Sequence, residues 1–338
     1  MKNRLNKFAA LFLAVVLCLS MAACSSNDNT PASDSSTPEE TQTLTIGILQ
    51  FGSHPSLDNC YQGIVEGLEA SGLTYTIDRQ DGNFDSATCD TIAKNMVAKE
   101  YDIIFAIATP AAVSSYAAAA TSEVPVIFCA VSDPMAAGLI EDRETPGGNC
   151  TGTSDLLDLS AQVEMISTFQ PGIQKIGVLY TTSEANSISQ LRQLREVVAP
   201  YGIEIVEQGV QSAADIPQAA AALATQVDCI NNFTDNNVVS NLTQVLDKAN
   251  EAGIPVYGSE VEQVKNGCLA AASIDYVALG RETANMGVQV LQGTAAGTIP
   301  VRYIAESTPV INPAVAQALG IDIPAAYQGA EMVEADAE

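Results

Sequence analysis

From residue 44 onward, short apolar runs alternate with segments of helical periodicity, and this alternation leaves few folds open. Strand-like runs fall at 45–50, 73–78, 102–108 and 124–130, then again at 175–180, 203–208, 228–231 and 254–257. Helical patterns separate or follow them at 56–70, 86–99, 110–120, 186–198, 213–225, 238–252 and 276–291. Strands that alternate with helices pair in parallel and carry the helices on both faces of the sheet. The two halves also match at one fixed offset of 130 positions. Thr45-Ile46-Gly47-Ile48-Leu49 answers to Lys175-Ile176-Gly177-Val178-Leu179, Gly72-Leu73 to Gly202-Ile203, and Val124-Pro125-Val126 to Ile254-Pro255-Val256. Three matches in one register predict an α/β chain of two doubly wound parallel-sheet lobes in tandem. Two equal lobes leave a cleft between them, and in open parallel sheets ligands bind beyond the carboxyl ends of the strands.

The 338 residues suit about two domains, and 47% hydrophobic residues suffice for a packed core. Lys and Arg number 14 against 40 Asp and Glu, a formal charge of −26. With no basic stripe, a nucleic acid is excluded as partner, because phosphate neutralisation needs clustered cations. The single histidine, His54, excludes a multi-histidine metal centre, and no motif calls for a metal or a cofactor.

The N-terminus has the form of an export signal. Lys2, Arg4 and Lys7 precede an apolar run over 8–19, which is short for a membrane span. Met21-Ala22-Ala23-Cys24 follows and resembles the bacterial lipobox, in which the cysteine becomes the lipidated first residue. Residues 1–23 are therefore expected to be a lipoprotein signal peptide, and 24–43, rich in Ser, Thr, Asn, Asp, Glu and Pro, a solvated tether. Cleavage leaves 11 cations against 40 acids, a charge of −29. So acidic a chain is repelled by anionic lipid, and membrane contact is expected through the Cys24 lipid only. Of eight cysteines, Cys18 and Cys24 belong to the signal. Cys60, Cys89, Cys129, Cys150, Cys229 and Cys268 are read as free, mostly buried thiols, with a Cys60–Cys89 bridge left open as the exception.

The loops after the strands gather the unusual polar residues. Gln50-Phe51-Gly52-Ser53-His54-Pro55 follows the first strand, Ala108-Thr109-Pro110-Ala111 the third, and Val131-Ser132-Asp133-Pro134 the fourth. Thr109 suits a helix N-cap and Pro110 the first helical position, which leaves free amides facing the cleft. Such amides, at the positive end of a helix dipole, form a site for a carboxylate. The second half offers acids instead: Glu184 and Asn186 after its first strand, Asp235 and Asn236 after its third, and Ser259 and Glu260 after its fourth. Amides on one lobe and acids on the other suit a zwitterion.

With these segments the chain resembles the substrate-binding lipoproteins of ABC importers, in the family that includes tryptophan- and tyrosine-binding members. The resemblance is carried by Ile48-Leu49-Gln50 with His54-Pro55-Ser56-Leu57-Asp58, Ala106-Ile107-Ala108-Thr109-Pro110, Ser132-Asp133-Pro134, Ser183-Glu184-Ala185-Asn186-Ser187, Thr234-Asp235-Asn236 and Ile274-Asp275-Tyr276. It implies a type I periplasmic-binding-protein fold whose chain crosses between lobes three times. One lobe is expected over 44–152 and 276–306, the other over 153–275 and 307–330, and 331–338 as an acidic tail. It further implies an extracytoplasmic, monomeric, lipid-anchored binder that delivers a small solute to a membrane permease. The ligand expected is an aromatic L-amino acid. Its carboxylate would meet Thr109, Pro110 and Ala111, its ammonium Asp235 with Asn236 or Asp133, and its side chain Phe51. Gln50, His54, Glu184, Asn186, Ser259 and Glu260 complete the expected set. A sensing lipoprotein of the same fold, or a binder of nucleosides or another small solute, is the alternative.

Catalysis has little support. His54 as a general base, oriented by Asp58 or Asp133, is conceivable. However, His54 directly precedes Pro55 at a helix start, and no nucleophile elbow, phosphate loop or second histidine accompanies it. The chain is read as a binder rather than an enzyme.

Overall fold

A computed structural model describes residues 43–304 and 308–333. Cys24, the signal peptide and nearly all of the expected tether lie outside the described residues.

Leu44–Gln50 (β1), Tyr75–Asp81 (β2), Ile103–Ile107 (β3), Val126–Cys129 (β4) and Cys150–Ser154 (β5) form one parallel sheet. Pro55–Ala70 (α1), Ser86–Ala98 (α2) and Thr109–Ala119 (α3) cross between its strands. After Leu159–Phe169 (α4), a second sheet is built from Lys175–Thr181 (β6), Glu204–Val210 (β7), Cys229–Asn231 (β8), Val256–Tyr257 (β9) and Ala270–Ser273 (β10). Its helices are Ala185–Val198 (α5), Ile216–Ala224 (α6), Asn236–Ser240 (α7), Leu242–Ala252 (α8) and Val261–Lys265 (α9). Tyr276–Leu291 (α10) then leads back to the first sheet, where Arg302–Tyr303 (β11) pairs with β5. Thr308–Ile311 (β12) runs antiparallel to β10 and, after Pro313–Leu319 (α11), Glu331–Met332 (β13) pairs with β12.

The strand orders are β11-β5-β4-β3-β1-β2 and β13-β12-β10-β9-β8-β6-β7. Taken by position in each half, both sheets wind 2-1-3-4-5. This shared order is the structural form of the 130-residue repeat, and the two doubly wound lobes expected from the alternation are present. The chain passes between sheets after β5, after β10, and again between β11 and β12.

Some elements differ from the sequence expectation. Residues 331–332, assigned to an acidic tail, extend the second sheet, and the following Val333 is 7% exposed. The helix expected over 238–252 breaks at Asn241, whose φ of −117° lies outside helical geometry. The run at 124–130 narrows to Val126–Cys129, because Pro125 has no N–H to donate and Ala130 takes a left-handed φ of 56°. The strand at Cys-Thr-Gly-Thr-Ser was not expected at all. It is wholly buried although it is mostly polar. Its hydroxyls find partners: Thr151 donates to the Ile299 carbonyl at 2.7 Å, and Thr153 meets Thr283 at 2.7 Å. All six cysteines from Cys60 to Cys268 are free and buried, so the Cys60–Cys89 bridge does not form. Cys60 instead lies beside the Cys129 thiol.

The returning helix α10 seats on α1 through facing glycines. A Cβ added at Gly63 would lie 2.1 Å from the Val277 carbonyl oxygen, and one at Gly280 would lie 2.2 Å from the Cys60 carbonyl oxygen. Backbone therefore meets backbone here, which only glycine allows. Both helices begin at the cleft, so this seam also positions what they carry there. Gly280→Ala is expected to destabilise the fold by about 1–3 kcal/mol through overpacking. Denaturant unfolding measures this; a change within error would mean that the helices separate freely.

Candidate functional site

The carboxyl ends of both sheets converge on one cleft enclosing about 330 Å³ of empty space, its mouth included. From the first lobe it is lined by His54, Ser56 and Leu57 after β1, Thr109 after β3, Ala130 and Ser132 after β4, and Asp155 after β5. From the second come Asn186 after β6, Thr234, Asn236 and Val239 after β8, and Glu260 and Gln263 after β9; Tyr276 stands at the start of α10. Every lining residue thus follows a strand, as the winding requires.

Five of the expected residues line this cleft: His54, Thr109, Asn186, Asn236 and Glu260. The others are placed elsewhere, each for a physical reason. Asp235, expected to hold an ammonium, is fully buried and occupied. It accepts from the Thr181 amide at 2.6 Å, the Thr181 hydroxyl at 2.8 Å, the Ser187 hydroxyl at 2.7 Å and the Val238 amide at 2.9 Å. Its four donors, the last of them at the α7 cap, fill the acceptor sites of this carboxylate from within the second lobe. Glu184 is likewise committed, to the amides of Asn236 and Asn237 and the side-chain amides of Asn186 and Asn236, so it orients two lining residues from behind. Phe51 packs edge-on against Phe84, with ring centroids 5.8 Å apart, and is 4% exposed. Gln50 bonds the Gly52 carbonyl, Asp58 and Arg79. Asp133 caps the following turn through the Ala136 amide and reaches Ser189 and Arg192 on α5. Ser259 donates to the Asn232 carbonyl at 2.5 Å.

At α3 the residue assignment moves by one. Ala108 is the N-cap and Thr109 the first helical residue, with Pro110 second; Pro110 and Ala111 do not line the cleft. Ala108 holds φ 77° and ψ 155°, a region that glycine ordinarily occupies. This backbone turns the chain from β3 into α3 within one residue and leaves Thr109 at the cleft.

Two acids face the cavity, Asp155 from the first lobe and Glu260 from the second, 3% and 1% exposed. Asp155 accepts hydrogen bonds from Ser132 and Tyr276 hydroxyls, both at 2.9 Å. Glu260 caps α9, accepting from the amides of Glu262 at 2.7 Å and Gln263 at 2.9 Å. Among the described residues no Lys or Arg pairs with either. Burial pushes both carboxyls above their ordinary range, Glu260 to about 7. Asp155 was missed in the sequence because the polar strand before it was missed. Once β5 is placed, the rule that finds Thr109 finds Asp155.

His54 is neutral here. Burial takes its imidazole down to about 4, against the opposing pull of Asn236 and Asp58. Its Nε2 lies 3.5 Å from Asn236 Oδ1 across the cleft, while Nδ1, like Asn186 Oδ1, is buried without a partner. Such orphaned atoms in a cavity wall await a polar ligand or water. Further contacts join the lobes: Ser132 with Gln190 at 3.0 Å and Thr234 at 3.3 Å, and Ser189 with Asp133 at 2.5 Å. The lobes are therefore closed on each other.

Residues 45–330 match the family described as ABC transporter substrate binding protein. A tyrosine-binding protein of Clostridioides difficile is 38% identical over 320 residues, 93% of this chain and 92% of that protein. Among solved structures, an ABC domain from Streptococcus pneumonia in complex with L-Trp is 35% identical; the match covers 86% of this chain and all of the other, with a TM-score of 0.84. The ligand-free, open structure of a substrate-binding protein with adhesive properties from Clostridium difficile is 34% identical over 87% of this chain and all of that one, with a TM-score of 0.66. At matched identity and coverage, the lower score against the open form places this lobe arrangement nearer to that of the tryptophan complex.

The buried groups make stability depend on pH in a defined sense. Glu260, raised from 4.5 to about 7, contributes stability that is full below its unfolded value and lost as pH rises through about 7. His54, lowered from 6.5 to about 4, contributes stability present above 6.5 and lost as pH falls through about 4. The melting temperature of the ligand-free protein is expected to fall between pH 6 and pH 8, and to fall less in Glu260→Gln. Calorimetry of both proteins checks this, and parallel curves would remove Glu260 from the account.

Proposed function

Because this chain belongs to the ABC transporter substrate-binding protein family, we propose that it captures a free amino acid, aromatic in its side chain, between its closing lobes and delivers it to a membrane permease. The observation that carries this reading is a cleft between the lobes whose wall holds two buried carboxyls, Asp155 and Glu260, with no Lys or Arg partner among the described residues, and the start of α3 at Thr109. The acids provide for an ammonium. The α3 N-terminus, with the Thr109 hydroxyl and the positive end of an 11-residue helix, provides for a carboxylate. The apolar parts of Leu57, Val239 and Tyr276 surround what lies between. The tyrosine-binding and tryptophan-bound relatives support an aromatic side chain.

The ammonium is assigned to Asp155 and Glu260 in place of Asp235. The domain division at the three crossovers, the lipid on Cys24 and an extracytoplasmic site of action belong to the same proposal. Among the described residues no helix is long and apolar enough to cross a membrane, so the anchor assigned to Cys24 would keep the protein at the permease.

Truncating one partner of a buried charge pair costs about 2–5 kcal/mol, so Asp155→Ala is expected to weaken L-tyrosine or L-tryptophan binding by roughly 30-fold or more. N-acetylated and amidated forms should lose comparable affinity at either end. Titration calorimetry measures all of these; blocked forms that bind as tightly as the parent would overturn the zwitterion reading in favour of a neutral solute. Metabolic labelling with a tagged fatty acid should mark the wild type and not Cys24→Ala, and equal labelling would remove the anchor.

A further inference from the structure

Three polar groups in the cavity wall have their hydrogen-bond sense fixed from behind. Asn186, Asn236 and His54 line the cavity and are each more than nine-tenths buried. The side-chain nitrogen of Asn186 donates to Glu184 Oε2 at 3.0 Å and to the Thr234 carbonyl at 3.1 Å. That of Asn236 donates to the same Oε2 at 2.5 Å. Turning either amide over would set oxygen against oxygen, so both Oδ1 atoms face away from Glu184. The sense passes on to His54, whose ring is neutral above about pH 4. With Asn236 Oδ1 facing it at 3.5 Å, Nε2 carries the ring hydrogen and Nδ1 keeps a lone pair. Asn186 Oδ1 and His54 Nδ1 have no hydrogen-bond partner among the described residues.

We propose that Glu184 is a positioning residue that holds Asn186, Asn236 and His54 as acceptors, and that these receive the donor on the ligand's aromatic side chain, so that the site selects tyrosine or tryptophan over phenylalanine. The proposal rests on the amino-acid reading above. A ligand carboxylate has no donor to offer these atoms, and the ammonium is assigned to the carboxyls of Asp155 and Glu260. Neutral acceptors match the remaining neutral donors, the phenol O–H of tyrosine or the indole N–H of tryptophan; the side chain of phenylalanine has none.

The orientation holds in both protonation states of Glu184. Burial and the neighbouring Asp235 push its carboxyl up to about 8. Oε2 already receives three N–H groups, from the Asn186 side chain and from the backbone and side chain of Asn236, whereas Oε1 receives only the Asn237 amide. A proton held by this carboxyl therefore belongs on Oε1 and leaves both asparagine amides as they are. His54 stands on the first lobe and the two asparagines on the second, so the acceptor set is complete only when the lobes meet.

The test is calorimetric titration of the full mature protein with two ligand pairs that differ by one donor. These are L-tyrosine against L-phenylalanine, and L-tryptophan against 3-benzothienyl-L-alanine, in which sulfur replaces the indole N–H. A buried acceptor left without its donor corresponds to about tenfold or more in affinity, and the wild type should prefer the donor-bearing member of each pair by that factor. In Glu184→Ala, which frees the Asn236 amide to turn, both preferences should shrink at least about threefold. Asn186→Ala deletes the unpartnered oxygen itself, should shrink them by a similar factor, and serves if the first variant does not fold. A purely structural loss would weaken both members of a pair alike and leave the ratios standing. Equal affinities of the wild type for L-tyrosine and L-phenylalanine, or ratios unchanged in Asn186→Ala, would overturn the proposal and leave the amino-acid reading in place. Failure of every free amino acid to bind would overturn both.

Discussion

The arrangement of this protein depends on the glycine seam between α1 and α10. The segment from α10 to β11 reaches the first lobe only after the chain has built five strands of the second, and it must dock on a helix laid down more than 200 residues earlier. Gly63 and Gly280 let the backbones meet where any Cβ would collide with a carbonyl oxygen. The consequence reaches the cleft directly, since α1 begins beside His54 and Ser56 and α10 begins at Tyr276. Tyr276 then donates to Asp155, which follows β5 where the chain leaves the first lobe. One hydrogen bond therefore ties two of the three crossovers together inside the ligand cavity. A ligand group held at Asp155, as proposed, would act on the hinge segments themselves and relate occupancy to lobe position.

The contact between the lobes is polar. Hydroxyls and amides of Ser132, Thr234, Gln190 and Ser189, the Asp133 carboxylate and the His54–Asn236 approach make up the cross-lobe bonds at the rim of the cleft. Such groups are satisfied nearly as well by water, so each contributes little net free energy to closure. An apolar interface of the same extent would hold the lobes shut. A polar one leaves the balance to the ligand, which makes it suited to capture and release.

The chain carries a strong acidic excess, yet the acids that matter most are few and differ in use. Asp235 is committed to backbone and hydroxyl donors within the second lobe, and Asp133 to a turn amide and to Ser189 across the cleft. Asp155 and Glu260 keep an aspect toward the cavity and have no Lys or Arg partner among the described residues. The difference is one of hydrogen-bond saturation. A carboxylate with four donors has no capacity left, whereas one with two can still receive an ammonium.

The doubly wound lobes were legible in the sequence because their cause is local. Ile103–Ile107 is apolar throughout, helices start at acidic or proline positions such as Asp85 and Pro55, and the 130-residue register repeats in plain view. The rule that ligands meet the carboxyl ends of strands located the cleft, and with it His54, Thr109, Asn186, Asn236 and Glu260. The rule could not say which acid has free lone pairs. Asp235 and Asp155 are equally acidic residues placed equally after strands, and only the donors gathered by Thr181 and Ser187 assign the first to the fold. Nor could it find Asp155, because a strand reading Cys-Thr-Gly-Thr-Ser carries no hydrophobic signature and is buried only through hydroxyl partners from distant segments. Sequence by itself determined the winding and the place of the cleft, since both follow from periodicity along the chain. Tertiary structure decided which groups remain free to bind, since hydrogen-bond saturation depends on residues far apart in sequence.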